Sequence, residues 1–300
     1  MAADRPVLVV VGAGGQVGRS LVEAGPPPGW DLRPLAHCDI DITSAASVSA
    51  ALNPVSRGMV VNAAAFTAVD RAEGEEALAF AVNAKGAGLL AAAAAARGLG
   101  LIHLSTDYVF DGQSRQPYDE AAPTGPLSAY GRSKLAGEER VLRAHPCAVI
   151  LRTAWVFSAF GGNFVRTILR LAAERPELRV VADQYGCPTA TAVLAEAIRV
   201  LAPRLLSATA GSAEVGVFHL CSDEAVSWHG FAAAILGGLA RRGRPVPPLV
   251  AITTDAFPLP ARRPAYSVLD CRRLTTIHGI RPSPWRPELE ICLDHLLEGA

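Results

Sequence analysis

Three glycines, Gly12, Gly15 and Gly18, follow the apolar run Val7–Val11 and open a stretch with helical periodicity, in "VLVVVGAGGQVGRSLVEAG". No other feature narrows the fold so far. A buried strand that turns within a few residues into a helix needs glycine at the turn. The G-x-x-G-x-x-G spacing also lets the backbone approach a pyrophosphate, where the free N–H groups and dipole of the helix N-terminus favour an anion. Gly18 lets the helix pack close to the sheet. At the start of a chain whose strands and helices alternate, this turn predicts dinucleotide binding.

The alternation continues. "WDLRPL" reads as a second strand, "GMVVNAAAFTAVDRAE" as a strand ending in small residues, "ALAFAVNAKGAGLLAAAAAARG" as a helix, and "LIHLSTD" and "AVILRTAWVF" as further strands. The fold class is therefore α/β, a Rossmann-type doubly wound parallel sheet with a smaller C-terminal substrate lobe. Residues 1–155 read as the dinucleotide-binding domain and 156–300 mostly as the substrate lobe. Two parts of the latter, about 178–206 and 216–221 ("VGVFHLC"), are expected to return to the Rossmann domain. Such a sheet binds ligands beyond the carboxyl ends of its strands. Gly12–Gly18, Ala63–Phe66, Thr106/Asp107 and Trp155 all fall on that edge.

Composition excludes several classes. Net charge is zero, half of the 300 residues are hydrophobic and 19% are charged. A nucleic-acid groove or an anionic membrane surface is not expected as partner. The Ala91–Ala96 run sits in an apolar stretch too short for a bilayer. The six cysteines form no Cys-x-x-Cys and have no His at ligand spacing, so the reading is reduced thiols, no metal and a cytoplasmic protein.

After the second strand the chain reads Ala36-His37, with no carboxylate where one would hold a ribose 2′-hydroxyl. That favours NADPH, or tolerance of both NADPH and NADH. Asp41 is better placed near the adenine or ribose, and Thr43/Ser44 would cap the next helix.

The chemistry is expected in "LIHLSTDYVFDG" and "SAYGRSKLAGEE". Tyr130 and Lys134 are four apart and share a helix face. A cation beside a phenol draws its pKa down, so that it can exchange a proton with a substrate oxygen. Lysine occurs only at Lys85 and Lys134, while arginine carries the remaining positive charge, and arginine cannot share a proton in this way.

These motifs, in the order GxxGxxG, "NAAAFTAVD", "STDYVFDG", Tyr-x-x-x-Lys, "RTAWVF", "DQYGCPT" and "RPAYSVLD", resemble the dTDP-4-dehydrorhamnose reductase family of extended short-chain dehydrogenases. The resemblance spans about Val7 to Pro287. It implies that Tyr130 protonates the 4-keto oxygen of a dTDP-4-keto-deoxysugar, that Lys134 binds the nicotinamide ribose and lowers the phenol's pKa, and that Thr106 hydrogen-bonds the same oxygen. Thr106, Asp107 and Trp155 would contact the sugar nucleotide. Gly12, Gly15, Gln16, Val17, Gly18, Asp41, Ile42, Ala64, Ala65, Phe66 and Leu104, with Tyr130 and Lys134, would contact NADPH or NADH. The implied product is dTDP-L-rhamnose. Alternatives are 4-ketoreduction of another dTDP-deoxysugar in antibiotic biosynthesis, or an NADP-binding regulatory subunit of a methionine adenosyltransferase type. Some members dimerise through Mg²⁺ held by glutamates, one of them just after the third glycine. Here Arg19-Ser20 stand there, so a metal-bridged dimer is not expected and a homodimer of another kind stays open.

Overall fold

Val7–Val11 forms β1 and Gln16–Ala24 forms α1, with the glycine turn between them. The computed structural model describes residues 5–298. The chain continues through β2 (Asp31–Leu35), α2 (Ala45–Leu52) and β3 (Gly58–Asn62). Two short helices, α3 (Val69–Gly74) and α4 (Glu76–Phe80), lead into a π-helical stretch, Ala81–Gly86, and then α5 (Ala87–Ala96). β4 (Gly100–Thr106), a 3-10 turn (Asp107–Val109), α6 (Ala129–Ala144) and β5 (Val149–Thr153) follow. Next come β6 (Val156–Phe157), α7 (Phe164–Glu174), β7 (Leu178–Val181), β8 (Tyr185–Gly186), β9 (Thr189–Ala190) and α8 (Thr191–Leu205). The last elements are β10 (Gly216–His219), β11 (Val226–Ser227), α9 (Trp228–Arg241), β12 (Leu249–Ile252), α10 (Arg272–His278) and α11 (Trp285–Leu297).

Six strands form one parallel sheet in the order β2-β1-β3-β4-β5-β10. The order reverses between β1 and β3, and in open α/β sheets ligands bind beyond the strand ends at such a point. Period-two alternation splits the core. Leu8, Val10, Met59, Val61, Ile102 and Leu104 point to one face, against Leu194, Ile198 and Leu201 of α8. Val9, Val11, Val60, Leu101 and Ile150 point to the other, against Leu52, Leu90, Ala91 and Val141. Strands buried on both faces read as continuous apolar runs, which is why β1, β3 and β5 were legible.

Two features differ from the sequence expectation. β7 does not join the main sheet but pairs in parallel with β12, and Leu178 packs with α7, α9 and α11 around Phe231 and Trp285. The apolar stretch that holds the Ala run, read as too short for a bilayer, is longer: Glu76–Ala96 is 21 residues, long and apolar enough by length and composition alone to cross a membrane. Here Ala87, Leu90, Ala91 and Ala94 of it are buried in the sheet's core.

Candidate active site

The glycine turn meets β3's end at the point where the strand order reverses. Gly12 has φ +86°, and a Cβ there would lie 2.6 Å from the Ala64 nitrogen, so only glycine fits. Gly15 caps α1 without a side-chain hydrogen bond, and no acid stands in the first turn. Nothing lies within 4 Å of where a Gly14 Cβ would be. An uncapped helix start with open space beside it and no competing carboxylate fits a dinucleotide's pyrophosphate.

The predicted cofactor residues serve in different ways. Gln16 spends its carboxamide on the 158–163 loop: Oε1 accepts from Ser158 and Asn163 at 2.9 Å each, and Nε2 donates to the Gly162 carbonyl. Only its backbone N–H is left for a phosphate. Val17 packs against the core beside Gly18 in α1. Ile42 is a core residue. Asp41 is exposed and folds back on its own turn, its Oδ1 accepting from the Thr43 hydroxyl (2.7 Å) and N–H (2.9 Å), which hold the carboxyl below its ordinary range. Ala64, Ala65 and Phe66 line the loop after β3. Asn83, buried in the π-helical stretch, pins that loop by accepting from Phe66 N–H (2.8 Å) and donating to its carbonyl (3.0 Å). Arg19 and Ser20, where a metal-bridged relative would carry glutamate, are used internally: Arg19 stacks over Phe160, and Ser20 hydrogen-bonds Thr191 at 2.6 Å.

The reacting groups gather at the end of β4. Ser128 caps α6 by accepting Gly131 N–H at 3.1 Å. A Cβ on Gly131 would overlap the Tyr108 carbonyl, so the start of α6 lies directly on the 3-10 turn. Tyr130 is thereby set edge-on to Tyr108, ring centroids 5.8 Å apart, with its phenol close to the Thr106 hydroxyl. Thr106 donates in turn to Asp107 Oδ1 at 3.0 Å. Asp107 Oδ2 and the neighbouring Thr153 Oγ1 are buried without partners. Two unpartnered polar atoms on one strand edge are groups a polar ligand would satisfy.

Lys134 is placed differently from expectation. Its ammonium is buried and donates to the Leu104 carbonyl at 2.6 Å rather than to the phenol. Asn62 Oδ1 accepts Ala64 N–H, so the Asn62 amide donates to His103 Nδ1 at 2.9 Å. The ring proton then sits on Nε2, facing Lys134 Nζ 3.4 Å away. Two donors in opposition disfavour the ammonium. Burial acts the same way and pulls Lys134 down to about 8, against the pull of Glu138. The expected lowering of the Tyr130 pKa does not hold: burial pushes it up to about 12.

Sequence reasoning missed Asn62, His103, Asn83 and the pair Arg152/Glu138. A signal existed for two of them. His103 and Arg152 interrupt strands buried on both faces, and a polar group there must have a partner. Arg152 donates to both oxygens of Glu138, at 2.9 and 2.7 Å, with both side chains at most 5% exposed, and Glu138 also accepts from Ser105.

Asp107 makes a testable contribution to stability. Burial raises its carboxyl from 3.8 to about 7. The folded state resists ionisation, so no cost arises below pH 3.8. Stability falls as pH rises between 3.8 and 7, reaching about 4 kcal/mol at most. Asp107→Asn is expected to melt near wild type at pH 4 but several degrees higher at pH 8. A difference in melting temperature that is constant with pH would contradict this.

A parallel sheet with a glycine turn at its order reversal, and a Thr, Tyr and Lys gathered at the same edge, marks the class of extended short-chain dehydrogenases. The family model described as RmlD substrate binding domain matches residues 6–298. A dTDP-4-dehydrorhamnose reductase of Burkholderia thailandensis is 42% identical, over 97% of this chain and 99% of its own. A probable dTDP-4,6-dihydroxy-2-methyloxan-3-one 4-ketoreductase of Streptomyces antibioticus is 41% identical, over 95% and 92%. The crystal structure of a Bacillus anthracis dTDP-4-dehydrorhamnose reductase in complex with NADP superposes with a TM-score of 0.87 at 34% identity, covering 96% of this chain and 99% of that one. The chain belongs to the dTDP-4-dehydrorhamnose reductase family. Among the described residues, no group of three or more His, Cys, Asp or Glu could hold a metal ion.

Proposed function

We propose that this chain uses NADPH to reduce the 4-keto group of a dTDP-6-deoxyhexose, converting dTDP-4-dehydro-L-rhamnose to dTDP-L-rhamnose in the cytoplasm. The observation that carries the reading is the Thr106–Tyr130 pair, side by side on the strand edge that also bears the glycine turn. Membership of the family supplies the substrate class. We assign the sheet half to the nucleotide cofactor and the lobe from Val156 onward mostly to the sugar.

When bound, the nicotinamide supplies the hydride, and the chain supplies position and the proton. The Gly12–Gly18 turn and the N-terminus of α1 would hold the pyrophosphate. Thr106 and Tyr130 would converge on one ketone oxygen. Tyr130 keeps its proton at working pH because burial holds its pKa high, and a ketone reductase needs a proton donor there. As the substrate oxygen becomes an alkoxide, it takes the phenolic proton. Thr106 holds that oxygen and steadies the phenolate. Lys134, near neutral pKa, can return a proton to the site.

A second reading, 4-ketoreduction of another dTDP-deoxysugar, is favoured by the likeness to the Streptomyces antibioticus relative. Turnover of each candidate dTDP-4-keto sugar with NADPH and with NADH, followed by NMR of the product, separates the two. The proposal expects dTDP-L-rhamnose and a preference for NADPH. Faster reduction of a different deoxysugar would favour the second reading. Tight NADPH binding without turnover of any would favour a regulatory subunit instead.

A further inference from the structure

Trp155 is the one non-glycine residue with positive φ among the described residues, at +47°. A side chain as large as indole in the left-handed region persists only where its surroundings over-determine it, and such strain concentrates at ligand sites. The surroundings here are specific. The Trp155 indole lies face to face with Trp228, ring centroids 3.4 Å apart and planes within 5°. Gly186 closes in beside the ring: a Cβ there would stand 2.5 Å from Trp155 Nε1, so no other residue fits without moving the indole.

Both constraints come from one small piece of the lobe. Gly186 in β8 pairs with Val226 in β11, and Trp228 follows β11 directly as the first residue of α9. Ser227 fixes that helix start by accepting Gly230 N–H at 3.1 Å. Phe164 packs on the Trp228 ring with centroids 4.6 Å apart. The Trp155 carbonyl is held by Thr189 N–H at 3.2 Å. Trp155 packs against the lobe core around Phe231 and also against the cluster containing Val109 and Phe110, which continues the turn bearing Asp107. It is the joint between the sugar lobe and the reacting edge.

We propose that Trp228 and Gly186 are positioning residues which together form a slot for Trp155, and that this slot sets the affinity for the deoxysugar of the nucleotide sugar. This rests on the reading that Trp155 lines the sugar site. An aromatic plate held rigidly offers an apolar wall to the C–H face and methyl group of a 6-deoxysugar, and it costs no ordering when the ligand binds. A loose indole would give up that advantage.

The test measures calorimetric dissociation constants for dTDP-L-rhamnose and for NADPH, with steady-state kinetics, in Trp155→Leu, Trp228→Leu, Trp228→Phe and Gly186→Ala. Stacked indoles also give an exciton couplet in circular dichroism, which reports the pair directly. Trp228→Leu and Gly186→Ala are expected to weaken sugar-nucleotide binding about tenfold, with NADPH affinity unchanged and kcat nearly so. The couplet should vanish in Trp228→Leu and shift in Gly186→Ala, and Trp228→Phe should recover part of the binding. The slot is overturned if Trp155→Leu loses sugar affinity while Trp228→Leu and Gly186→Ala keep it. It is equally overturned if both ligands weaken together with the melting temperature, as for a merely structural role. Wild-type binding of the sugar nucleotide without any turnover would count against the proposed reaction and leave the slot standing. No binding by the wild type would overturn both.

Discussion

Tyr130→Phe is expected to lower the rate of ketone reduction by about 10²–10⁴-fold, the usual worth of a positioned general acid. The dissociation constant for NADPH should stay within about twofold, because the phenol touches Thr106 and Tyr108 and supports no backbone. The comparison is between turnover followed at 340 nm and a fluorescence titration of the cofactor. Equal losses in both would mean that Tyr130 shapes the cofactor site instead of protonating the ketone. The burial that keeps the phenol protonated also sets the pH behaviour: between pH 6 and 9 the rate should show no fall from loss of the Tyr130 proton.

Glu138→Ala should cost about 3–5 kcal/mol of stability, because it leaves the Arg152 guanidinium buried without its counter-charge. His219, at 3.4 Å from Arg152, gives no relief: burial, with Arg152 beside it, pulls the imidazole down to about 3 and keeps it neutral. With total stability on the order of 5–15 kcal/mol, the single variant loses a large share of it. The double variant Glu138→Leu/Arg152→Met should lose markedly less than Glu138→Ala alone, since no charge is then stranded. Urea unfolding of the three proteins decides this. A single variant within about 1 kcal/mol of wild type would mean that water reaches the pair. Because Ser105 also bonds Glu138 and directly precedes Thr106, loss of the pair should also loosen the reacting edge.

Most of the sheet was legible because its strands are apolar on both faces, and Val7–Val11, Gly58–Asn62 and Val149–Thr153 admit few other readings. The glycine turn and the Tyr130/Lys134 spacing were legible because each encodes a local geometry. What escaped depends on pairing over long distances. Nothing near Leu178 says that its partner is Leu249, and nothing near Trp155 says that Trp228 will lie on it. The electrostatics of the lysine escaped for a related reason. Spacing on a helix places Lys134 on the same side as Tyr130, but the β4 carbonyl of Leu104 and the ring of His103 decide where its charge goes.

The central claim is that Tyr130, Thr106 and the glycine turn serve one ketone and one nicotinamide. The most direct measurement is a single turnover of dTDP-4-dehydrorhamnose with NADPH carrying deuterium at the transferable C4 position. The account predicts one deuterium on carbon 4 of the product sugar, formed by the wild type and nearly absent with Tyr130→Phe. Deuterium retained in the nicotinamide while the sugar stays unreduced, or carbon 4 hydrogen drawn from solvent, would contradict it.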